Sequence, residues 1–80
     1  MKYVYLLQSI TFPKQRYVGL TSNLQQRLAA HNQGMASHTS KYEPWRIVTV
    51  IRFDDDHRAA IFERYLKTGS DRAFANKHLW

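Results

Sequence analysis

Arg27 and His31 are separated by one helical turn, and they fall on the same stripe as Leu24 and Leu28. If that stretch is a helix, its two leucines face the interior, and the arginine and histidine lie on or beside the packed face. A lone guanidinium is costly to bury, so Arg27 must be paired or kept wet at the rim. Glu63 repeats the pattern. Ala59, Phe62 and Leu66 form an apolar stripe, and Glu63 lies within about one helical step of it. It is the only acid between Asp56 and Asp71. Tyr3 and Tyr5 alternate onto one face of an apolar stretch, and Tyr17 follows in a second such stretch. Each feature has an ordinary explanation. Arg27 can snorkel, His31 can cap a helix end, Glu63 can pair with Arg27 or with Lys67 at i,i+4, and the tyrosines can simply pack across strands.

Together these residue types suit phosphodiester hydrolysis. That reaction needs a metal to polarise the phosphate, a base for the attacking water and cations for the developing charge. Glu63 can anchor a single Mg²⁺ or Mn²⁺, with waters and phosphate oxygens completing the shell. Arg27 offers a planar fork to the phosphate. A tyrosine can serve as general base if nearby cations lower its ordinary pKa of about 10. His31 can assist the proton transfer or hold that tyrosine in place. The sequence has no His-rich zinc spacing, no Gly-rich phosphate loop and no nucleophile elbow. Asp54-Asp55-Asp56 lacks the glycine and terminal glutamate of a calcium loop and reads as the start of a helix.

The elements that must position these groups are legible. Residues 2–8 and 16–20 read as strands joined by a short loop, hence an antiparallel hairpin. Ser22 with Gln25 three residues on fits a capping box, and the helix it opens runs to about Asn32 and stops at Gly34. A polar loop follows over 35–44. The continuous apolar run Trp45–Ile51 predicts a strand buried at the centre of the sheet. A second helix is expected from His57 to Thr68, ending at Gly69. Ser70 is expected to cap a last helix from Asp71 to His78. The order β-β-α-β-α-α predicts an α+β domain over residues 1–80.

Composition narrows the partners. Twelve Lys and Arg against six Asp and Glu give a net charge of +6, spread along the chain with no basic tail. A folded basic domain of this kind is expected to meet a polyanion, here nucleic acid. With no cysteine, disulfides and thiolate metal sites are excluded. No apolar run approaches the length that spans a bilayer, and the amino terminus has no signal-peptide pattern, so no membrane and a cytoplasmic location are expected.

Taken in order, these residues resemble the GIY-YIG nuclease superfamily in its small, single-domain form. Tyr3-Val4-Tyr5 stands at the first motif, with Tyr3 in place of glycine, and Tyr17-Val18-Gly19 matches the second. The stretch from Tyr17 through Arg27 to His31 resembles the family's arginine-bearing helix, and Phe53 to Glu63 resembles the approach to its metal-binding glutamate. The resemblance implies a three-stranded antiparallel sheet flanked by helices and single-metal hydrolysis of nucleic acid, DNA before RNA. Carried over by position, Tyr5 is the general base, with Tyr3 its nearest competitor. Tyr17 positions the water or phosphate, Arg27 binds the scissile phosphate, His31 sits beside the base and Glu63 binds the metal. Asn76 resembles a polar residue found downstream in several members, and Arg16 and Lys41 are further substrate-binding candidates. Some relatives carry a lysine just after the second motif, where this chain has Leu20. Lys14, Arg16 or Lys41 are the candidates to replace it. With no added domain in the sequence, weak sequence preference or a specificity-giving protein partner is expected. The rival reading is a nucleic-acid-binding module without catalysis.

Overall fold

The continuous run Val4-Tyr5-Leu6-Leu7 is apolar on both faces, and all four residues are buried. A strand of that kind needs cover on both sides. In the computed structural model, which describes residues 1–34, 39–68 and 72–80, it is the central strand. Strand β1 (Lys2–Ser9) lies between β2 (Arg16–Thr21) and β3 (Trp45–Phe53), antiparallel to both. Helix α1 (Leu24–Asn32) follows β2, and a 3-10 turn (Ser40–Tyr42) precedes β3. Helices α2 (Asp56–Lys67) and α3 (Arg72–His78) complete the α+β fold.

The expectation that Trp45–Ile51 forms the central strand is corrected here: β3 is an edge strand with a mixed burial pattern. Its apolar residues serve two different faces. Leu6 pairs with Thr49 but Leu7 pairs with Ile47, so Val48 is an inserted residue. Such a bulge reverses the alternation of side chains. Trp45 and Ile47 therefore join Tyr5 and Leu7 under α1, where Leu24 and Leu28 pack. Phe53, also odd-numbered, joins Val4 and Leu6 under α2 and α3, with Ala59, Phe62, Leu66 and Ala75.

Helix boundaries follow local chemistry. Asn23, not Ser22, is the cap of α1. Its side chain accepts the Gln26 N–H, and its own N–H is held by Thr21 Oγ1. Asparagine caps at least as well as serine, and the Thr21 contact favours the later start. Gly34, just past α1, takes a positive φ of 72°, as a helix-ending glycine does. Asn32 ties the end of α1 to β3 by bonding both the N–H and the carbonyl of Trp45. Asp55 caps α2, accepting from the N–H groups of His57 and Arg58, which hold its carboxyl below the usual carboxylate range. The acidic triplet is thus a helix start. The expected roles of Gly69, Ser70 and Asp71, and residues 35–38 of the polar loop, lie outside the described residues.

Candidate active site

Tyr5 and Leu7 point to the α1 face of the central strand, and the register sets Tyr5 opposite Gly19 and Leu7 opposite Tyr17. Tyr5 and Tyr17 are therefore diagonal neighbours on one face, with ring centroids 6.2 Å apart. Gly19 explains the glycine of the second motif. A β-carbon there would stand 2.7 Å from Tyr5 Cε1 and closer still to Cζ and the hydroxyl. The Tyr5 ring lies across the bare backbone of Gly19, an approach that a β-carbon would block.

The Tyr5 hydroxyl is the hub of a buried chain of hydrogen bonds. Arg27 Nε donates to it at 3.3 Å, and it lies 3.0 Å from His31 Nε2. His31 Nδ1 lies 2.7 Å from Thr39 Oγ1. Burial, helped by the Arg27 charge, lowers the proton affinity of His31 and keeps the ring neutral. With Nδ1–H donating to Thr39, Nε2 is left to accept from Tyr5, whose oxygen in turn accepts from Arg27. His31 is 1% exposed, so it is no helix-end cap. Arg27 stands at the exposed rim of α1, and its guanidinium interacts with Tyr5 and, more weakly, with Tyr17. Burial pushes the Tyr5 hydroxyl above the ordinary tyrosine range, against the opposing pull of Arg27.

Glu63 arrives from the other face of the sheet. Because β2 is an edge strand, side chains of α2 can reach around it. Lys67 Nζ lies 2.7 Å from Glu63 Oε2 and 5.5 Å from the centre of the Tyr17 ring. Tyr17 in turn lies 4.9 Å from the His31 ring, and the Glu63 charge is felt at the Tyr5 hydroxyl. The structure thus brings Tyr5, Tyr17, Arg27, His31 and Glu63 to one edge. Among the described residues, no three His, Asp or Glu side chains are grouped to hold a metal. One carboxylate, 19% exposed and open to waters and phosphate oxygens, suits Mg²⁺ or Mn²⁺, which bind through one or two carboxylates plus substrate.

Arg16 and Asn76 meet beside this edge. Arg16 Nη1 donates to Asn76 Oδ1 at 3.0 Å, and its guanidinium lies 4.7 Å from the centre of the Trp80 ring. With Lys14, Gln15 and Lys67 they line a polar groove of about 420 Å³. Lys41 is exposed on the 3-10 turn, and no described contact joins it to the cluster. Tyr3 is half-buried between Thr21 and Arg52 on the neighbouring strands, two residues from Tyr5. Leu20 packs into the core under α2, so that position offers no cation. A separate hollow of about 460 Å³, lined by Phe53, Ile61, Phe62, Tyr65 and Phe74, lies on the opposite flank of α2.

Sequence reasoning missed three contributors. Thr39 sits in a loop without periodicity, and its carbonyl is fixed by Trp45 Nε1. Gly19 was legible only as part of a motif. Lys67 read as an ordinary ion-pair partner, and its place over Tyr17 depends on the wrap of α2 around β2.

The model of the GIY-YIG catalytic domain matches residues 1–77. The chain belongs to that family. Structure-specific endonuclease subunit SLX1 of Debaryomyces hansenii is 38% identical over 80% of the chain, and the SLX1 homolog of Giardia intestinalis is 38% identical over 61% of it. The matches cover only 20% and 14% of those relatives. The solution structure of the UPF0213 protein BH0048 from Bacillus halodurans superposes with a TM-score of 0.57 and 28% identity, over 96% of this chain and 82% of that one.

Proposed function

We propose that this GIY-YIG domain is a metal-dependent endonuclease that hydrolyses phosphodiester bonds of DNA, in repair or processing. The observation that carries the reading is the Tyr5 hydroxyl held between Arg27 Nε and His31 Nε2, on the strand edge that Glu63 reaches from behind. The family match and the endonuclease names of its relatives support it.

In this reading Glu63 would hold one Mg²⁺ or Mn²⁺, which when bound would supply Lewis-acid polarisation of the phosphate. Arg27 keeps Nε on Tyr5 and offers the outer edge of its guanidinium to the phosphate. Tyr5 is the general base: its oxygen takes a proton from the attacking water as its own proton passes to His31 Nε2. Thr39 Oγ1 holds the far side of the imidazole, and with Nδ1–H directed at it Nε2 is free to take this proton. Tyr17 orients water or phosphate at the more open end. Burial keeps Tyr5 protonated at rest, so the base forms only when cations and substrate assemble. Arg16 and Asn76 bind the strand beyond the cut, and Lys41 supplies a more distant contact. Specificity comes from a partner protein, as the word subunit in the relatives' names suggests for them, and the setting is the cytoplasm.

Incubation with single-stranded, duplex, branched and RNA substrates, with Mg²⁺, Mn²⁺ or EDTA, tests the reading. Cleavage of DNA that requires the metal is expected. Salt-sensitive binding to all of them with no metal-stimulated cleavage would instead establish a binding module.

A further inference from the structure

The geometry points to Lys67 as a placeholder cation: it occupies the metal's position at Glu63 until the metal arrives, and then engages a substrate phosphate. This rests on the nuclease reading above and deepens it.

Two independent contacts put Lys67 at the centre of the site. Its ammonium is 2.7 Å from Glu63 Oε2, on the carboxylate that must hold the metal. The same ammonium lies over the Tyr17 ring, 5.5 Å from its centre, and lines the groove that holds Lys14 and Arg16. Neither contact follows from the other, since an i,i+4 pair on a helix needs no tyrosine from a neighbouring strand.

The neighbouring cations differ in freedom. Arg27 is tied to Tyr5, and Arg16 is tied to Asn76 and stacked on Trp80. Lys67 is 46% exposed, on a flexible stem, and lines the groove with Lys14 and Arg16. A partly exposed i,i+4 pair of this kind is worth only about a factor of two in an equilibrium constant. A divalent ion at Glu63 repels the ammonium and can therefore displace it at little cost. The displaced ammonium stays within reach of the groove, where a phosphate next to the scissile one would pass. In the metal-free protein the pair also keeps Glu63 from standing as an uncompensated charge beside Tyr5.

The test compares wild type, Lys67→Met, Lys67→Arg and Glu63→Gln, all checked for unchanged thermal melting. Mn²⁺ binding without nucleic acid is measured by electron paramagnetic resonance of the free ion. Lys67→Met is expected to bind Mn²⁺ at least about twofold more tightly than wild type, because the competitor is gone. The salt dependence of DNA binding is then measured in EDTA, and that of half-saturation in single-turnover cleavage with Mn²⁺. Lys67→Met should lower the slope by about 0.7–0.9 with Mn²⁺, the change that follows when one fewer phosphate is neutralised, and by less in EDTA. Its saturated single-turnover rate should fall by at least about tenfold. Lys67→Arg should restore slope and rate. Unchanged or weaker Mn²⁺ binding in Lys67→Met, or a slope with Mn²⁺ equal to wild type, overturns the proposal. Equal Mn²⁺ binding by wild type and Glu63→Gln would instead overturn the nuclease reading, and this proposal with it.

Discussion

Gly19→Ala isolates one contact on which the whole hydrogen-bonded chain depends. Gly19 has no positive φ, so its backbone suits alanine, and a strand ordinarily gains from the change. Any loss must come from the side chain. The new β-carbon would overlap the Tyr5 ring, which is buried between β2 and α1 and has no open space to enter. Overpacking of this kind costs about 1–3 kcal/mol. For a domain of this size that is a fall in Tm of roughly 4–24 °C. Displacing the ring also pulls the hydroxyl from Arg27 and His31, so metal-dependent cleavage should fall by about tenfold or more. The assay is thermal denaturation and single-turnover cleavage of Gly19→Ala, Tyr5→Ala and the double variant. If the ring is the cause, the two stability costs are strongly non-additive, and Gly19→Ala costs little once Tyr5 is alanine. Additive costs, or a Gly19→Ala protein as stable and active as wild type, would refute this reasoning.

Tyr5→Phe keeps the ring but strips the hub of the network. It leaves His31 Nε2 and Arg27 Nε without their partner, and should cost about 1–3 kcal/mol in chemical denaturation and on the order of 10²-fold in cleavage rate. The buried His31 binds its proton less readily than in the unfolded chain, where the value is near 6.5. The unfolded state then takes up more protons in the window just below that value, so stability is complete above pH 6.5 and declines as pH falls through the folded pKa. Denaturant midpoints from pH 7.5 to 5 should show this decline in wild type and a flatter profile in His31→Gln; parallel profiles would contradict it. Arg16→Ala should weaken DNA binding and reduce the salt slope by about 0.7–0.9, read by fluorescence anisotropy.

The fold was largely written in local signals. The apolar hairpin strands, the stop at Gly34 and the acidic start before α2 all act through neighbours in sequence, and the structure keeps them. The misplacement of β3 at the sheet centre has a physical cause. Its run of apolar residues looks like a strand buried on both faces, but the bulge at Val48 splits it between two half-buried faces. The Arg27–His31 stripe was legible because helical periodicity fixes the face of each side chain. Glu63 was less so, because its link to Tyr17 runs through Lys67 and depends on α2 wrapping an edge strand. Thr39 was not legible at all: its contact with His31 is made by a loop, which carries no period.

The central claim is that Glu63 supplies the metal's protein ligand in a site that cuts DNA. Single-turnover cleavage by purified wild type and Glu63→Ala, with Mn²⁺ or Mg²⁺ and matched melting curves, tests it most directly. Glu63 contributes one partly exposed ion pair to the fold, so the variant should melt within a few degrees of wild type. Wild type should cleave only with metal, and the folded variant should show no metal-stimulated cleavage. A folded Glu63→Ala protein that cuts as fast as wild type would contradict the account.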